Sequence, residues 1–122
     1  MIILDTNIWY AACDKSDFLH KKAQELFSSL EDQVMIPEYV LVELINLLVR
    51  KKGKAWTDEF MRQLIVSDDC QITPNTPSFT LEVIQSFLKS DNPKLSFVDH
   101  SLLYLSKHHK VHTFDQELAK AL

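Results

Sequence analysis

The chain has 122 residues, 46% of them hydrophobic, which is enough for one compact core and too few for two ordinary domains, so we predict a single domain over residues 1–122. A formal net charge of −4 argues against a broadly basic nucleic-acid-binding protein, although the placement of the acids matters more than their sum. No apolar run approaches the roughly 20 residues of a membrane span, no secretory signal opens the sequence, and the two distant cysteines suit neither a zinc site nor a disulfide framework, so we expect a cytoplasmic protein.

The first predicted element is a strand at residues 1–4, a wholly apolar run that ends at an acid. Such a run suits a strand buried on both faces of a parallel sheet, with Asp5, Thr6 and Asn7 leaving its carboxyl end. Apolar periodicity and the positions of proline and glycine predict the remaining elements. In chain order these are a helix over 18–30, a strand at 34–36, helices over 38–52 and 55–66, a strand at 70–73, helices over 78–88 and 97–108, and a strand at 110–113.

This alternation of strands and helices predicts an α/β fold in three layers, with helices on both faces of a mainly parallel central sheet of four or five strands. In open sheets of this kind, ligands bind outside the carboxyl ends of the strands. Asp5 and Asp115 each come just after a predicted strand. We therefore expect both carboxylates at the edge of the sheet where chemistry can occur.

Glu43 is a third acid of interest because it lies in a run, residues 40–49, that is apolar around nearly its whole circumference. We expect this helix to be buried, where an isolated carboxylate is costly unless a cation, a hydrogen-bond network or a metal ion compensates it. No Lys or Arg occurs between Lys22 and Arg50, so no cation adjoins Glu43 on its own segment.

Asp99 falls early in the helix predicted over 97–108, three residues after Ser96. That spacing resembles a capping box, and an acid in a first turn also suits the helix dipole, so a structural role alone would account for it. Asp5 and Asp115 are likewise of a type common at N-caps and turns. A functional role is favoured because the fold would gather all four acids, two from strand ends and two from helices.

Carboxylate oxygens select hard cations such as Mg²⁺ or Mn²⁺, whereas zinc prefers imidazole and thiolate. Such cations can activate a water molecule and stabilise the oxygens of a phosphodiester during an in-line displacement. Two cations about 4 Å apart, or one at a time, are both compatible with the sequence.

Four segments then resemble a known family: Met1-Ile2-Ile3-Leu4-Asp5-Thr6-Asn7, Glu43 within its apolar helix, Leu95-Ser96-Phe97-Val98-Asp99-His100-Ser101, and His112-Thr113-Phe114-Asp115. In this order and spacing they resemble the PIN domain, especially its toxin ribonucleases of the VapC type, over essentially the full chain. The resemblance implies a PIN-like fold and an endoribonuclease that uses Mg²⁺ or Mn²⁺. It implies that the catalytic and metal-binding acids are Asp5, Glu43, Asp99 and Asp115, supported by Thr6, Asn7, Thr113 and Glu117.

The same resemblance implies partners. Proteins of this kind cut RNA internally and commonly form homodimers, and those that are toxins are blocked by a small antitoxin expressed with them. Many relatives continue past the last acidic motif into another short strand, whereas this sequence runs only from Glu117 to Leu122 beyond it. We therefore expect either a four-stranded sheet or one that a partner completes.

Three further groups of residues have weaker functional interpretations. The densest basic cluster could contact the RNA backbone or simply complement a helix dipole; it consists of Arg50, Lys51, Lys52 and Lys54. A histidine group could supply a general base, although surface roles suffice for it; it consists of His108, His109 and His112. An aromatic and aliphatic row at helical spacing is expected in the core, with a dimer interface as a second use; it consists of Trp56, Phe60, Met61 and Leu64.

Other functions stay open. An aspartyl-phosphate phosphatase would use Asp5 as its nucleophile, but such enzymes carry a second Asp two residues later, where this chain has Asn7. A PIN-like module could keep the fold and only bind RNA or protein. A housekeeping RNA-processing nuclease would share every site residue with a toxin, although a small chain with no appended RNA-binding module favours the toxin.

Overall fold

A computed structural model describes residues 1–122 as an α/β fold with a four-stranded sheet and seven helices. The strands are β1 (Ile2–Leu4), β2 (Val34–Pro37), β3 (Cys70–Thr73) and β4 (Lys110–His112). The helices are α1 (Thr6–Cys13), α2 (His20–Ser29), α3 (Glu38–Lys52), α4 (Lys54–Val66), α5 (Pro77–Lys89), α6 (Phe97–Leu105) and α7 (Gln116–Ala121). None of these helices combines the length and apolar character needed to cross a membrane.

The sheet confirms the predicted α/β class and is parallel throughout, in the order β3-β2-β1-β4. The wholly apolar β1 lies inside the sheet, where Ile3 and Leu4 are completely buried, as expected for a strand covered on both faces. β1 and β4 pair so that Leu4 lies opposite His112. The segments that follow these two strands therefore emerge side by side at one edge of the sheet.

Two helices, α1 and α7, have no counterpart among the predicted elements. α1 begins directly after β1 with residues of modest helix propensity, so local sequence gave little signal for it. It is stabilised by burial instead, because Ile8, Trp9 and Ala11 enter the core and the Trp9 ring packs edge-on against Phe27. α7 has only six residues, of which Leu118 is the buried anchor, and is too short for a periodic pattern.

α3 has the predicted bounds but not the predicted environment. Only one stripe of it is fully buried, at Val40, Leu44 and Leu48, which recur every fourth residue and face the core. Val42 and Glu43 are exposed, so the expectation of a helix buried all round was wrong. The helix therefore has more apolar residues than the core of one chain buries, and Val42 and Val49 are left exposed.

A single residue joins α3 to α4. Gly53 has a φ of 90°, in the left-handed region that L side chains rarely adopt, and it serves as both the C-cap of α3 and the N-cap of α4. The Thr57 hydroxyl donates to the Gly53 carbonyl at 2.8 Å, which ties the first turn of α4 to the joint. The α3 C-terminus is therefore held in a fixed direction.

Candidate active site

One cavity of about 540 Å³ collects all four acids that the sequence singled out. Its lining contains only one hydrophobic residue, Leu47. The polar residues that line it are Asp5, Thr6, Asn7, Glu43, Asn46, Arg50, Ser96, Asp99 and Asp115. The elements that supply them are the ends of β1 and β4, one face of α3 and the first turns of α1 and α6, so the cavity lies at the carboxyl edge of the sheet, where α/β folds bind ligands.

Asp5 is the most buried of these acids, with 5% of its surface exposed. Its Oδ1 accepts a hydrogen bond from the Thr6 backbone amide at 2.7 Å, which makes it the N-cap of α1, and its Oδ2 accepts one from the Thr113 hydroxyl at 2.7 Å. Burial raises the pKa of Asp5 to about 6; the two hydrogen bonds oppose this rise, and the charges of Asp99 and Glu43 add to it. The three carboxylates therefore act on one another across the cavity.

Thr113 connects the two chain segments that leave β1 and β4. Besides donating to Asp5, its Oγ1 accepts hydrogen bonds from the Asp115 amide at 3.0 Å and from Asn7 Nδ2 at 3.3 Å. Asn7 completes the link, because its Oδ1 accepts a hydrogen bond from the Phe114 amide at 3.2 Å. The hydroxyl thus has one donor bond and two acceptor bonds, and it fixes the orientation of the acids on both sides.

Asp115 and Asp99 each combine a structural bond with a place in the cavity. Asp115 is the N-cap of α7, and its Oδ1 accepts from the Glu117 amide at 3.1 Å. Asp99 forms the capping box suggested by the sequence, in which its Oδ2 accepts from the Ser96 amide at 2.9 Å and Ser96 Oγ accepts from the Asp99 amide at 3.0 Å. In both residues the second carboxylate oxygen has no hydrogen-bond partner in the protein and remains available.

Glu43 differs from the other three acids because it is exposed and its side chain makes no hydrogen bond or ion pair. Since water solvates it, this carboxylate needs no compensating cation, contrary to the expectation for a buried helix. A functional role for Glu43 is supported instead by its position in the cavity lining, beside the other three acids. Asn46, Leu47 and Arg50 come three, four and seven residues after Glu43, so the four side chains lie on one face of α3.

The chemistry of the lining suits a hard divalent cation, since the donors are carboxylate oxygens and no His or Cys takes part. Thr6 adds a hydroxyl oxygen that is buried and has no hydrogen-bond partner. The carboxylates are, however, too widely spaced for any three His, Cys, Asp or Glu side chains to chelate one ion as they stand.

The predicted basic cluster divides in the structure, and only Arg50 faces the cavity. Lys52 lies 3.9 Å from Asp14 and over the ring of Trp56, while Lys54 pairs with Asp58 on its own helix. Lys51 is exposed and makes no ion pair. Sequence reasoning treated these four residues as equivalent, whereas helical geometry separates them.

Several other residues fall outside the cavity lining. The three histidines of the predicted group do not line it; burial, with a smaller effect from Lys110, lowers the pKa of His112. Glu117 points towards Lys94, at 3.7 Å, and Lys120, at 3.9 Å. Asn46 does line the cavity and was missed, although its position three residues after Glu43 on the same helix was the available signal.

This fold and cavity can be compared with known proteins. The family model of the PIN domain matches residues 2–121. The crystal structure of VapC20 from Mycobacterium tuberculosis, described as a sarcin-ricin loop cleaving toxin, is similar with a TM-score of 0.86 and 25% sequence identity. That similarity covers 99% of this chain and 95% of the VapC20 chain. No curated protein sequence gives a significant match.

Proposed function

Because this chain belongs to the PIN-domain family, we propose that it is a metal-dependent endoribonuclease that acts as the toxin of a type II toxin–antitoxin pair. One observation carries the proposal: Asp5, Glu43, Asp99 and Asp115 come from four separate parts of the chain and line a single cavity. A purely structural role for each acid would not require them to converge. Three of them, Asp5, Asp99 and Asp115, take part in helix caps, but each cap uses only one of the two carboxylate oxygens.

In this proposal the four carboxylates hold Mg²⁺ or Mn²⁺, which supplies Lewis-acid polarisation of the scissile phosphate and lowers the pKa of a water molecule. Asp5 and Asp99 enter with their rotamers already fixed by hydrogen bonds from Thr113, Thr6 and Ser96. Glu43 is free to turn because nothing in the protein holds its carboxylate. Hydrolysis adds a water oxygen to phosphorus and breaks one phosphorus–oxygen bond, and the leaving ribose oxygen takes up a proton.

The uncovered apolar surface supports the proposal that the protein works with partners. Val42 and Val49 on α3 are 52% and 39% exposed, and Ile65 and Val66 on α4 are 66% and 76% exposed. Burying such side chains is favourable at a protein–protein interface. We propose a homodimer and a small antitoxin as the proteins that cover these helices, and the cytoplasm, where RNA is the substrate, as the site of action.

The test is an RNA cleavage assay with the purified protein, free of antitoxin, in Mg²⁺, Mn²⁺ or EDTA. Since VapC20 cleaves the sarcin-ricin loop, that RNA hairpin is the first substrate, beside an unstructured RNA. We expect metal-dependent cleavage that Asp5→Asn with Asp99→Asn abolishes and that the matched control Asp91→Asn, an exposed acid outside the cavity, leaves intact. RNA binding without cleavage by folded protein would instead indicate a catalytically silent module.

The toxin proposal has its own discriminating experiment. A toxin halts growth when expressed without its antitoxin, and the Asp5→Asn variant does not; a housekeeping RNA-processing nuclease would be tolerated at the same level. A short neighbouring reading frame that encodes a DNA-binding protein, and whose product restores growth, would identify the antitoxin.

A further inference from the structure

Arg50 is the only cationic residue in the lining of the acidic cavity. Its guanidinium lies more than 4.0 Å from every carboxylate of the protein, although four carboxylates line the same cavity. Lys52, the last residue of α3, and Lys54, the first residue of α4, are by contrast both within ion-pair distance of an aspartate. The charge of Arg50 is therefore not used within the protein.

The position of Arg50 relative to Glu43 follows from helix geometry. The two residues are separated by two turns on the cavity face of α3, so their Cα atoms lie about 10 Å apart along the helix axis. Asn46 lies between them, and its side-chain amide makes no hydrogen bond within the protein. α3 therefore presents a carboxylate, an amide and a guanidinium in a row along one wall of the cavity.

A phosphate is the ligand that this end of the row fits best. Guanidinium presents paired N–H donors that match phosphate oxygens, and arginine stays charged at every relevant pH. Lys51 and Lys52, in the same last turn, already complement the α3 dipole, so Arg50 is not needed for that purpose. The acidic and basic side chains would bind different ligands in this arrangement. The acids would bind cations, and Arg50 would bind a phosphate of the RNA backbone some distance away.

We infer that Arg50 is a substrate-binding residue that holds an RNA phosphate next to the scissile one, with Asn46 facing the nucleotide between them. The inference rests on the proposed ribonuclease function of the same cavity and specifies how it takes its substrate. Cleavage then depends on a strand that enters along α3, with the scissile phosphate at the Glu43 end of the row.

The test compares Arg50→Gln and Arg50→Lys with Lys89→Gln, which removes one positive charge from α5, outside this cavity. Binding of a fluorescent single-stranded RNA is measured over a series of salt concentrations in the inactive Asp99→Asn background with Mg²⁺ present. We expect Arg50→Gln to lower affinity about tenfold and to reduce the slope of log K against log salt by about 0.7, the change for one lost contact to a single strand. Arg50→Lys should keep the slope, and Lys89→Gln should change neither quantity.

The second measurement is RNA cleavage, with the Arg50 variants made in a protein that keeps Asp99. Arg50→Gln should lower kcat/KM about 10- to 100-fold, mainly through KM. Its affinity for Mn²⁺ should rise or stay equal, because removing a positive charge beside carboxylates favours cation binding. A loss of activity accompanied by weaker Mn²⁺ binding would assign Arg50 to the metal site and overturn the inference.

The outcomes separate this inference from the proposed function. If the unaltered protein cleaves RNA and Arg50→Gln behaves like Lys89→Gln in both assays, the inference is wrong and the nuclease stands. If nothing is cleaved but Arg50→Gln still lowers the salt slope, the nuclease proposal fails and the RNA contact stands. If no RNA binds at all, both are overturned.

Discussion

The Thr113 hydroxyl lies 2.7 Å from Asp5 Oδ2 and joins two residues that are 108 positions apart in the sequence. This bond runs between the ends of the two neighbouring strands β1 and β4. Because the same hydroxyl also accepts from Asp115 and Asn7, it couples the acids of the cavity to the register of the sheet.

Replacing Thr113 by Val should disturb both stability and activity. The variant keeps the shape of the side chain but leaves the Asp115 amide without its partner and Asp5 Oδ2 with only the 3.4 Å hydrogen bond from Asn7 Nδ2. We expect this loss to cost about 1–3 kcal/mol in urea unfolding. Cleavage should fall at least tenfold, as Asp5 loses its fixed orientation. Thr113→Ser restores the hydroxyl and should recover most of both quantities; equal activity of the Val and Ser variants would show that the hydroxyl does not position the site.

Asp5 should make the metal-free protein less stable as pH rises. Its pKa is about 6 in the folded state against an ordinary value of 3.8, so its favourable contribution is complete below pH 3.8 and is lost as pH rises through about 6. The loss amounts to about 3 kcal/mol for a shift of this size. Asp5→Asn removes this titration. In EDTA, the free energy of unfolding of Asp5→Asn relative to that of the unaltered protein should therefore increase from pH 4 to pH 7. Urea unfolding at each pH measures this difference, and a constant difference would contradict the prediction.

Divalent cations should stabilise the folded protein. A ligand at a hundred times its dissociation constant adds about 2.7 kcal/mol, which is several degrees in the unfolding temperature of a domain of this size. We expect Mg²⁺ and Mn²⁺ to raise the Tm in thermal scans of the unaltered protein and of Asp91→Asn. Asp5→Asn with Asp99→Asn should show no such rise, and an equal rise in that double variant would place the ions elsewhere.

Glu43→Gln should separate activity from stability. The side chain is exposed and has no partner in the protein, so its loss should change the free energy of unfolding by no more than about 0.5 kcal/mol. If Glu43 binds the catalytic metal, cleavage should fall about 100-fold or more, comparable with the loss of a metal ligand or its support. An active Glu43→Gln protein would remove this residue from the proposed metal site.

Gly53→Ala should destabilise the protein through the backbone alone. A Cβ at this position would meet nothing within 4 Å, so there is no steric clash, but the φ of 90° is strained for alanine. We expect a loss of about 1–2 kcal/mol in urea unfolding. Metal-dependent cleavage below the melting temperature should persist, and a variant as stable as the unaltered protein would show that the joint between α3 and α4 relaxes freely.

The sequence was sufficient for the elements whose patterns are long or sharply bounded. The bounds of α3 were correct because Pro37 and Gly53 mark its two ends, and β1 was recognisable from a short apolar run that stops at Asp5. α1 was missed because its stability comes from distant packing partners, among them the ring of Phe27, rather than from local propensity.

The sequence predicted that the four acids would converge, but not which other residues would line the cavity or how exposed they would be. The order of strands and helices predicted that Asp5 and Asp115 would follow strand ends, and the Ser96–Asp99 spacing correctly predicted the capping box. The exposure of Glu43 could not be deduced, since apolar residues around α3 look alike whether they enter the core or lie on an uncovered surface. The turn of Arg50 into the cavity likewise depends on where α3 sits against the other elements.

The bond between Asp5 and Thr113 also has a consequence for the newly made chain. A ribosome releases Asp5 early and Thr113 more than a hundred residues later, so the oriented carboxylate and the pairing of β1 with β4 cannot exist while the segment between them is still being translated. A nascent chain that already carries Asp5, Glu43 and even Asp99 lacks the hydroxyl that aligns the first of them. Under the proposed function, the newly made chain completes its active site only after translation has passed β4.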